Sequence, residues 1–178
     1  MMRGKLENNR VIVWNLTSSK KYFEKEFYGK LYDDRLELSL LEAAHLLERN
    51  KLEIKNNKKK INFNNFIDYC NKTDDRFDIR YTVYKDLRKK ELPTRTGFKF
   101  GCDFRVYEKG VKPLHKGPKS AKEHTKWLVY SVPNDFKCSY PELSRAVRLA
   151  HNIRANMLWA TVDKKKKVNY FQVTFFKP

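Results

Sequence analysis

Long apolar segments are missing from this chain of 178 residues. No apolar run reaches the ~20 residues that a bilayer-spanning helix needs, so the sequence excludes a spanning helix of that kind. The first residues also lack the apolar segment and the small-residue cleavage site that are typical of a secretory leader. We therefore expect a cytoplasmic protein.

Cysteine is scarce, and its placement excludes two further classes of protein. Cys70, Cys102 and Cys138 are odd in number, far apart and without CxxC spacing. This pattern argues against a disulfide framework and against a zinc site, so we expect reduced thiols and no metal. Short-period repeats and low-complexity tails are also missing, which argues against a solenoid.

Acidic residues are few relative to basic ones: 21 Asp and Glu against 39 Lys and Arg give a net charge of +18. A surface this basic attracts polyanions, and nucleic acid is the most common polyanion in a cytoplasm. The alternative is that an A+T-rich genome favours lysine codons, as in residues 51–60. Charge alone does not indicate whether a bound nucleic acid is cut.

Apolar residues make up 40% of the chain and aromatic residues 14%, which is enough for a sizeable core. Strands are predicted at 10–15, 35–38, 52–54, 98–107, 127–132, 157–162 and 168–176. Helices are predicted at 20–27, from 39 onward, at 64–70, at 74–90 and from 139 to about 155. We therefore expect an α+β fold, with an N-terminal mixed α+β domain at 1–85. A C-terminal domain at 86–178 is expected to contain a mixed β-sheet flanked by helices.

Two helix starts carry the same signature. Ser39 precedes Glu42 by three residues, and Ser139 precedes Glu142 in the same way, which predicts two capping boxes. His45 falls within the apolar pattern of the first of these helices. We therefore interpret His45 as a structural residue.

Tyr107 and His124 are the candidates for chemistry. Tyr107 ends an apolar strand that is bounded by glycines, and His124 precedes a second apolar strand. We therefore expect the two residues at neighbouring strand ends. Metal-free cleavage of RNA needs a base for the 2′-hydroxyl proton, an acid for the leaving 5′-oxygen and a cation near the phosphorane. Histidine suits the acid or base role because it titrates near neutral pH. Taken alone, the sequence favours a packing or interface role for Tyr107 and a structural role for His124.

A family resemblance adds to this interpretation. The second half of the chain, and more weakly the whole, resembles archaeal tRNA-splicing (tRNA-intron) endonucleases. The residues that carry it are Val-Tyr-Lys-Asp-Leu-Arg at 83–88, Thr-Gly-Phe-Lys-Phe-Gly at 96–101, Asp-Phe-Arg-Val-Tyr-Glu-Lys-Gly at 103–110, Lys-Glu-His at 122–124, Leu-Val at 128–129, Leu-Ser-Arg at 143–145, Val-Arg-Leu-Ala-His-Asn-Ile-Arg at 147–154 and Lys-Pro at 177–178. The resemblance implies that residues 86–178 are a nuclease domain of the catalytic type.

In that family a tyrosine, a histidine and a lysine form the active site. The first two fall on Tyr107 and His124, whereas the lysine position, directly after Ala-His-x-x-Arg, is Ala155 here. Losing such a cation typically costs ~10²–10³ in rate. Either alanine inactivates the enzyme, or the chain is a subunit that pairs with an active partner. The retention of Tyr107 and His124 favours an inactivated enzyme.

RNA contacts are also implied by the resemblance. An arginine seven residues before the family lysine helps to hold a bulged base, and here it is Arg148, with a surface salt-bridge residue as the alternative. Seven residues make nearly two helical turns, so we expect Arg148 and Ala155 on one helix face. The loop at 110–122, with Lys116 and Lys119, is expected to touch RNA, although a solvated insertion fits equally well.

The leading hypothesis is a metal-independent endoribonuclease (a tRNA-intron lyase) that excises introns from precursor tRNA at bulge–helix–bulge sites. The resemblance implies 2′,3′-cyclic phosphate and 5′-hydroxyl ends, no cofactor, and a homotetramer or a heterotetramer with a related subunit. One alternative is a non-catalytic RNA-binding subunit of such an assembly. Another is a metal-dependent DNA nuclease, for which Asp103 and Glu123 make a poor set of carboxylates.

Overall fold

The computed structural model describes residues 1–56, 59–97, 101–113 and 123–176. The chain folds into two compact units, Met1–Asp78 and Ile79–Pro178. The division falls in the first turn of helix α4, Phe77–Lys89. The domain boundary at 85/86 that the sequence suggests falls within the same helix and stays a prediction. None of the helices in the described ranges combines the length and the apolarity that crossing a bilayer would require.

The first unit contains a mixed sheet with helices. Its elements are β1 (Met2–Glu7), β2 (Arg10–Val13), α1 (Leu16–Glu24), β3 (Lys30–Leu31), β4 (Leu36–Ser39), α2 (Leu40–Glu48), β5 (Leu52–Asn56), β6 (Lys59–Ile61) and α3 (Phe63–Thr73). The strand order is β3-β4-β2-β1-β5-β6, and only the β1–β5 pair is parallel among these strands. Strand β1 therefore lies at the centre of the sheet.

Buried residues alternate along these strands, as a sheet with one covered face requires. Met2, Gly4 and Leu6 are buried in β1, while Arg3 and Lys5 between them are exposed. The buried side chains of helix α2 complete the core, and α2 contacts β2, β4 and β5. The opposite face of the sheet carries the charged side chains.

The predicted capping box at the start of α2 is confirmed. The Ser39 hydroxyl accepts from the Glu42 backbone, and the Glu42 carboxylate accepts from the backbone N–H of Ser39 and of Gly29. His45 is buried, and its Nδ1 lies 2.8 Å from the Tyr28 hydroxyl. This hydrogen bond confirms the interpretation of His45 as a structural residue.

The second unit has three layers. Beyond α4 it contains β7 (Thr94–Thr96), β8 (Phe104–Val106), β9 (Trp127–Pro133), α5 (Tyr140–Asn152), β10 (Asn156–Val162) and β11 (Val168–Val173). The strand order is β11-β10-β9-β8-β7, with β9 and β10 parallel on either side of the α5 crossover. The predicted α+β fold with mixed sheets is thereby confirmed.

Helices α5 and α4 pack on opposite faces of this sheet. On one face, Leu128 of β9 belongs to a buried apolar cluster with residues of α5. The next residue, Val129, points to the other face and lies opposite Phe104 of β8. Phe104 contacts Tyr84 of α4, with ring centres 5.7 Å apart. A second contact to α4 is the hydrogen bond of 2.7 Å from the Tyr170 hydroxyl to Asp86. Burial and this bond raise the pKa of Tyr170.

Several predicted boundaries were wrong. Helix α1 begins at Leu16, capped by Asn15, rather than at residue 20. The segment predicted as a strand pair or a bent strand at 98–107 contains β8 at Phe104–Val106. Residues 98–100 lie outside the described residues. Strands β1, β3, β6 and β7 were not predicted. The second capping box, Ser139 with Glu142, is confirmed at the start of α5.

All three cysteines are free thiols, as expected. Cys70 and Cys102 are buried, and burial raises the pKa of each to about 12. Cys138 is exposed.

Candidate active site

Three strands of the second sheet end at the same edge. Val106 at the end of β8 lies opposite Trp127 at the start of β9, which lies opposite Asn156 at the start of β10. Tyr107 directly follows β8, and Ala155 directly precedes β10. With strands spaced ~4.8 Å apart, the backbones at 107 and 155 are about 10 Å from each other.

His124 precedes β9 by three residues and so approaches the same edge of the sheet from the middle strand. The backbone of Lys126, two residues on, donates to the Val106 carbonyl at 2.9 Å. The topology therefore brings the three predicted positions to one end of the sheet, two of them flanking the third.

The environments of the tyrosine and the histidine differ. Tyr107 is 3% exposed, and its backbone N–H donates to the carbonyl of Pro93 at 3.0 Å. His124 is exposed to solvent. Unlike the buried His45, it contributes nothing to the core, so its side chain is available to a ligand.

The alanine follows a left-handed turn at the end of α5. Arg154 has φ 57°, its N–H donates to the His151 carbonyl, and the N–H of Ala155 donates to the Ala150 carbonyl, both at 2.9 Å. These two bonds are the pair that defines a Schellman C-cap, with the apolar contact that accompanies it between Ala155 and Ala150. Backbone hydrogen bonds thus fix position 155, while its methyl group lies at the edge of the apolar cluster, 9% exposed.

This turn corrects one prediction. Helix α5 ends at Asn152, so the helical repeat does not continue to Ala155, and the two residues that we expected on one face differ in exposure. Arg148 is exposed, whereas Ala155 is buried. No glycine marks this helix end in the sequence, because the left-handed position is occupied by Arg154.

Arg148 forms no salt bridge with any residue that the structure describes, so its guanidinium is open to a ligand. Two lysines near this end of the sheet form salt bridges instead. Lys109 pairs with Glu91, and Lys126 pairs with Glu108 at 3.0 Å. The hydrogen bond from Lys109 lowers the pKa of Glu91.

Two predicted RNA contacts, Lys116 and Lys119, lie outside the described residues, as does the loop that contains them from 114 to 122. Asp103, proposed for the metal-dependent alternative, is buried. Its carboxylate accepts from the backbone N–H of Ser131 at 2.7 Å and pairs with Arg80 at 3.3 Å. No group of three potential metal ligands occurs within the described ranges. Asp103 therefore serves the fold.

Large aromatic side chains in and after strand β11 are exposed to solvent. Strand β11 is an edge strand, and Phe171, Phe175 and Phe176 in and after it are 56%, 61% and 83% exposed. Alternation alone could not distinguish packing within one chain from packing against another.

Comparison with known proteins accounts for both units. The family profile of the tRNA intron endonuclease N-terminal domain matches residues 2–67, and that of the catalytic C-terminal domain matches residues 77–170. A tRNA-splicing endonuclease of Thermococcus kodakarensis is 36% identical over 172 residues, covering 97% of this chain and 96% of the relative.

Two further relatives with the same name extend the comparison. The protein of Nanoarchaeum equitans is 40% identical over 83% of this chain and 94% of its own length. The protein of Methanosarcina barkeri is 37% identical over 93% of this chain but only 46% of its own length. With both domains matched in order and full-length relatives at this identity, the chain belongs to the tRNA intron endonuclease family.

Proposed function

We propose that this chain acts on precursor tRNA as a metal-independent endonuclease that excises introns at bulge–helix–bulge sites. The products carry 2′,3′-cyclic phosphate and 5′-hydroxyl ends, and alanine at position 155 leaves the enzyme weakened or inactive. The single observation that carries the proposal is the placement of Tyr107, His124 and Ala155 at one edge of the second sheet.

In this mechanism Tyr107 takes the proton of the 2′-hydroxyl, whose oxygen then attacks the adjacent phosphorus. His124 protonates the 5′-oxygen as the P–O bond breaks, so the 2′,3′-cyclic phosphate forms without water. Because Tyr107 is only 3% exposed in the free chain, the RNA must gain access to its hydroxyl on binding. Catalytic contacts often tighten in this way only when the substrate is bound.

Position 155, where the family has a lysine, carries no positive charge in this chain. A positive group beside the phosphorane stabilises the charge that develops there, and a methyl group cannot do so. The buried alanine therefore accounts for the weakened activity that we propose.

Substrate contacts come from the exposed face of α5 and from the loop at 110–122. Arg148 is exposed and forms no salt bridge with the described residues, which supports a role in holding an unpaired base. Lys116 and Lys119 are proposed to contact the phosphate backbone.

We also propose that the chain assembles as a tetramer, either with itself or with a related subunit. The open edge of β11 supports this, because exposed edge strands with large aromatic side chains are normally covered by a partner. The alternative function is a non-catalytic RNA-binding subunit of a heteromeric endonuclease. The missing cation at Ala155 and the enclosed ring of Tyr107 favour that alternative.

The experiment is cleavage of a bulged precursor tRNA in EDTA, with the ends of the products identified. Slow cleavage that gives cyclic phosphate ends, and that is lost in Tyr107→Phe and in His124→Ala, supports the proposed enzyme. A requirement for a divalent metal overturns it. Cleavage only after a second, related subunit is added, and unchanged by either substitution, supports the non-catalytic subunit.

A further inference from the structure

The sheet of the first unit has one face that no helix of the unit covers. Directly opposed residues on that face form a row across all of its described strands. In strand order they are Lys30, Glu37, Ile12, Lys5, Lys55 and Lys60. We call this surface the open face.

The open face is strongly basic. It carries seven basic and three acidic side chains, namely Arg3, Lys5, Arg10, Lys30, Arg35, Lys55 and Lys60 against Glu7, Glu37 and Glu53. Each of the three acids is already paired, with Lys5, Arg35 and Lys60 respectively.

The other four cations of the open face form no salt bridge with a carboxylate that the structure describes, namely Arg3, Arg10, Lys30 and Lys55. A surface with this excess of positive charge attracts a polyanion and repels a second copy of a chain whose own net charge is +18.

A cleft of about 420 Å³ lies on this face. Its lining includes Arg10, Ile12 and Trp14 in and just after β2, together with Arg35 and the carboxylates of Glu7 and Glu37 from the neighbouring strands. Trp14 is 48% exposed, although tryptophan is highly buried on average. We call this feature the Trp14 cleft.

Beside the cleft a second aromatic ring is arranged for cationic contacts. The ammonium of Lys30 lies 4.4 Å and the guanidinium of Arg35 lies 4.7 Å from the centre of the Tyr32 ring. An exposed indole among such cations is the combination that binds single-stranded nucleic acid, because bases stack on the ring while cations follow the phosphates.

We propose that the open face binds an unpaired stretch of RNA, with one base stacked on Trp14 and a neighbouring phosphate held by Arg10. The site lies in the first unit, so it adds substrate affinity outside the candidate active site. The inference takes its RNA ligand from the proposed function but does not depend on cleavage.

The test measures binding of a fluorescently labelled single-stranded RNA of mixed sequence to the full chain. Trp14→Ala is expected to weaken binding about 5- to 100-fold, since a stacked base contributes that much, while Trp14→Phe retains most of the affinity. Arg10→Gln is expected to lower the slope of log Kd against log salt by about 0.7. A control, Lys72→Gln, removes an exposed positive charge from helix α3, outside the open face, and should leave both the affinity and the salt slope nearly unchanged.

Unchanged affinity in Trp14→Ala and in Trp14→Phe, with thermal melting like that of the wild type, overturns the inference. So does a loss of self-association in Trp14→Ala with RNA binding intact, because the cleft would then bind another copy of the chain. Should Trp14→Ala fail to fold, Trp14→Phe and photo-crosslinking of RNA to the cleft decide the question. Cleavage is measured in a separate assay, so the binding result can be interpreted even if the chain does not cleave RNA.

Discussion

Replacing Ala155 by lysine tests whether the edge of the second sheet is a nuclease site that lacks its cation. The backbone at this position is held by the bond from its own N–H to Ala150 and by the bond from Asn156 to Lys126, both 2.9 Å long. Neither involves the side chain, so a new side chain leaves the chain path unchanged. A lysine has a flexible four-carbon stem that can carry its ammonium out of the apolar cluster toward the sheet edge.

The expected gain follows from the position of that ammonium. One preorganised donor or cation at a developing oxyanion contributes ~10²–10³ in rate, or about 2.7–4 kcal/mol in the barrier. The cost is crowding at the cluster, where Ala155 is 9% exposed, and overpacking of this kind lowers stability by ~1–3 kcal/mol. We therefore expect faster cleavage from a somewhat less stable protein.

The assay is single-turnover cleavage of a bulged precursor tRNA in EDTA, with protein in excess. The matched control is Ala155→Met, which adds a long side chain without charge and should show the loss of stability without the gain in rate. Adding Tyr107→Phe to the lysine variant should remove the gain. Equal rates for the lysine and methionine variants, with RNA binding intact, would refute the reasoning and favour the non-catalytic subunit.

Three further predictions follow from the fold. At pH 8 a thiol reagent should label one cysteine of the native chain rapidly, Cys138, because burial raises the pKa of the other two to about 12. Gly97→Ala should destabilise the chain by ~1–3 kcal/mol in urea, since a Cβ would lie 2.8 Å from the Cys102 carbonyl oxygen. Ser139→Ala should cost ~0.5–2 kcal/mol through loss of its helix cap.

Controls for these three are available in the chain. Gly101→Asn is expected to be tolerated, because its φ of +60° suits asparagine and its Cβ meets nothing within 4 Å. Hydrogen bonds from Ser139 lower the pKa of Glu142, so the carboxylate part of this cap is complete above the ordinary value of 4.5 and is lost as the pH falls through the lowered folded value. The bond from the Glu142 N–H to the Ser139 hydroxyl remains at all pH values. A cap effect as large at pH 2 as at pH 7, or rapid labelling of two thiols, would contradict the structure.

Elements with a local signal could be predicted from the sequence. The capping residues Ser39 and Ser139 predict the starts of their helices, and the β-branched residues of β2 predict a strand. Strand β1 could not be predicted in the same way. Gly4 lowers its intrinsic strand preference, and its pairing with β5 joins segments about fifty residues apart in the chain.

For the candidate site, the sequence predicts where the residues lie in the fold but not how exposed their side chains are. The strand ends that bring Tyr107 and Ala155 to one edge follow from the order of the elements, but the enclosure of the tyrosine ring does not. Burial of a single side chain depends on which residues of other segments cover it. The end of α5 was missed for a related reason, because Arg154 adopts a conformation that sequence statistics reserve mainly for glycine.

That conformation has a consequence for any attempt to engineer the chain. A non-glycine residue in the left-handed region stores strain of ~1 kcal/mol, which glycine would relieve. Arg154→Gly would therefore raise the midpoint of urea denaturation while removing an exposed positive charge beside the candidate site. At this residue, stability against denaturant and electrostatic attraction of a polyanion are therefore opposed.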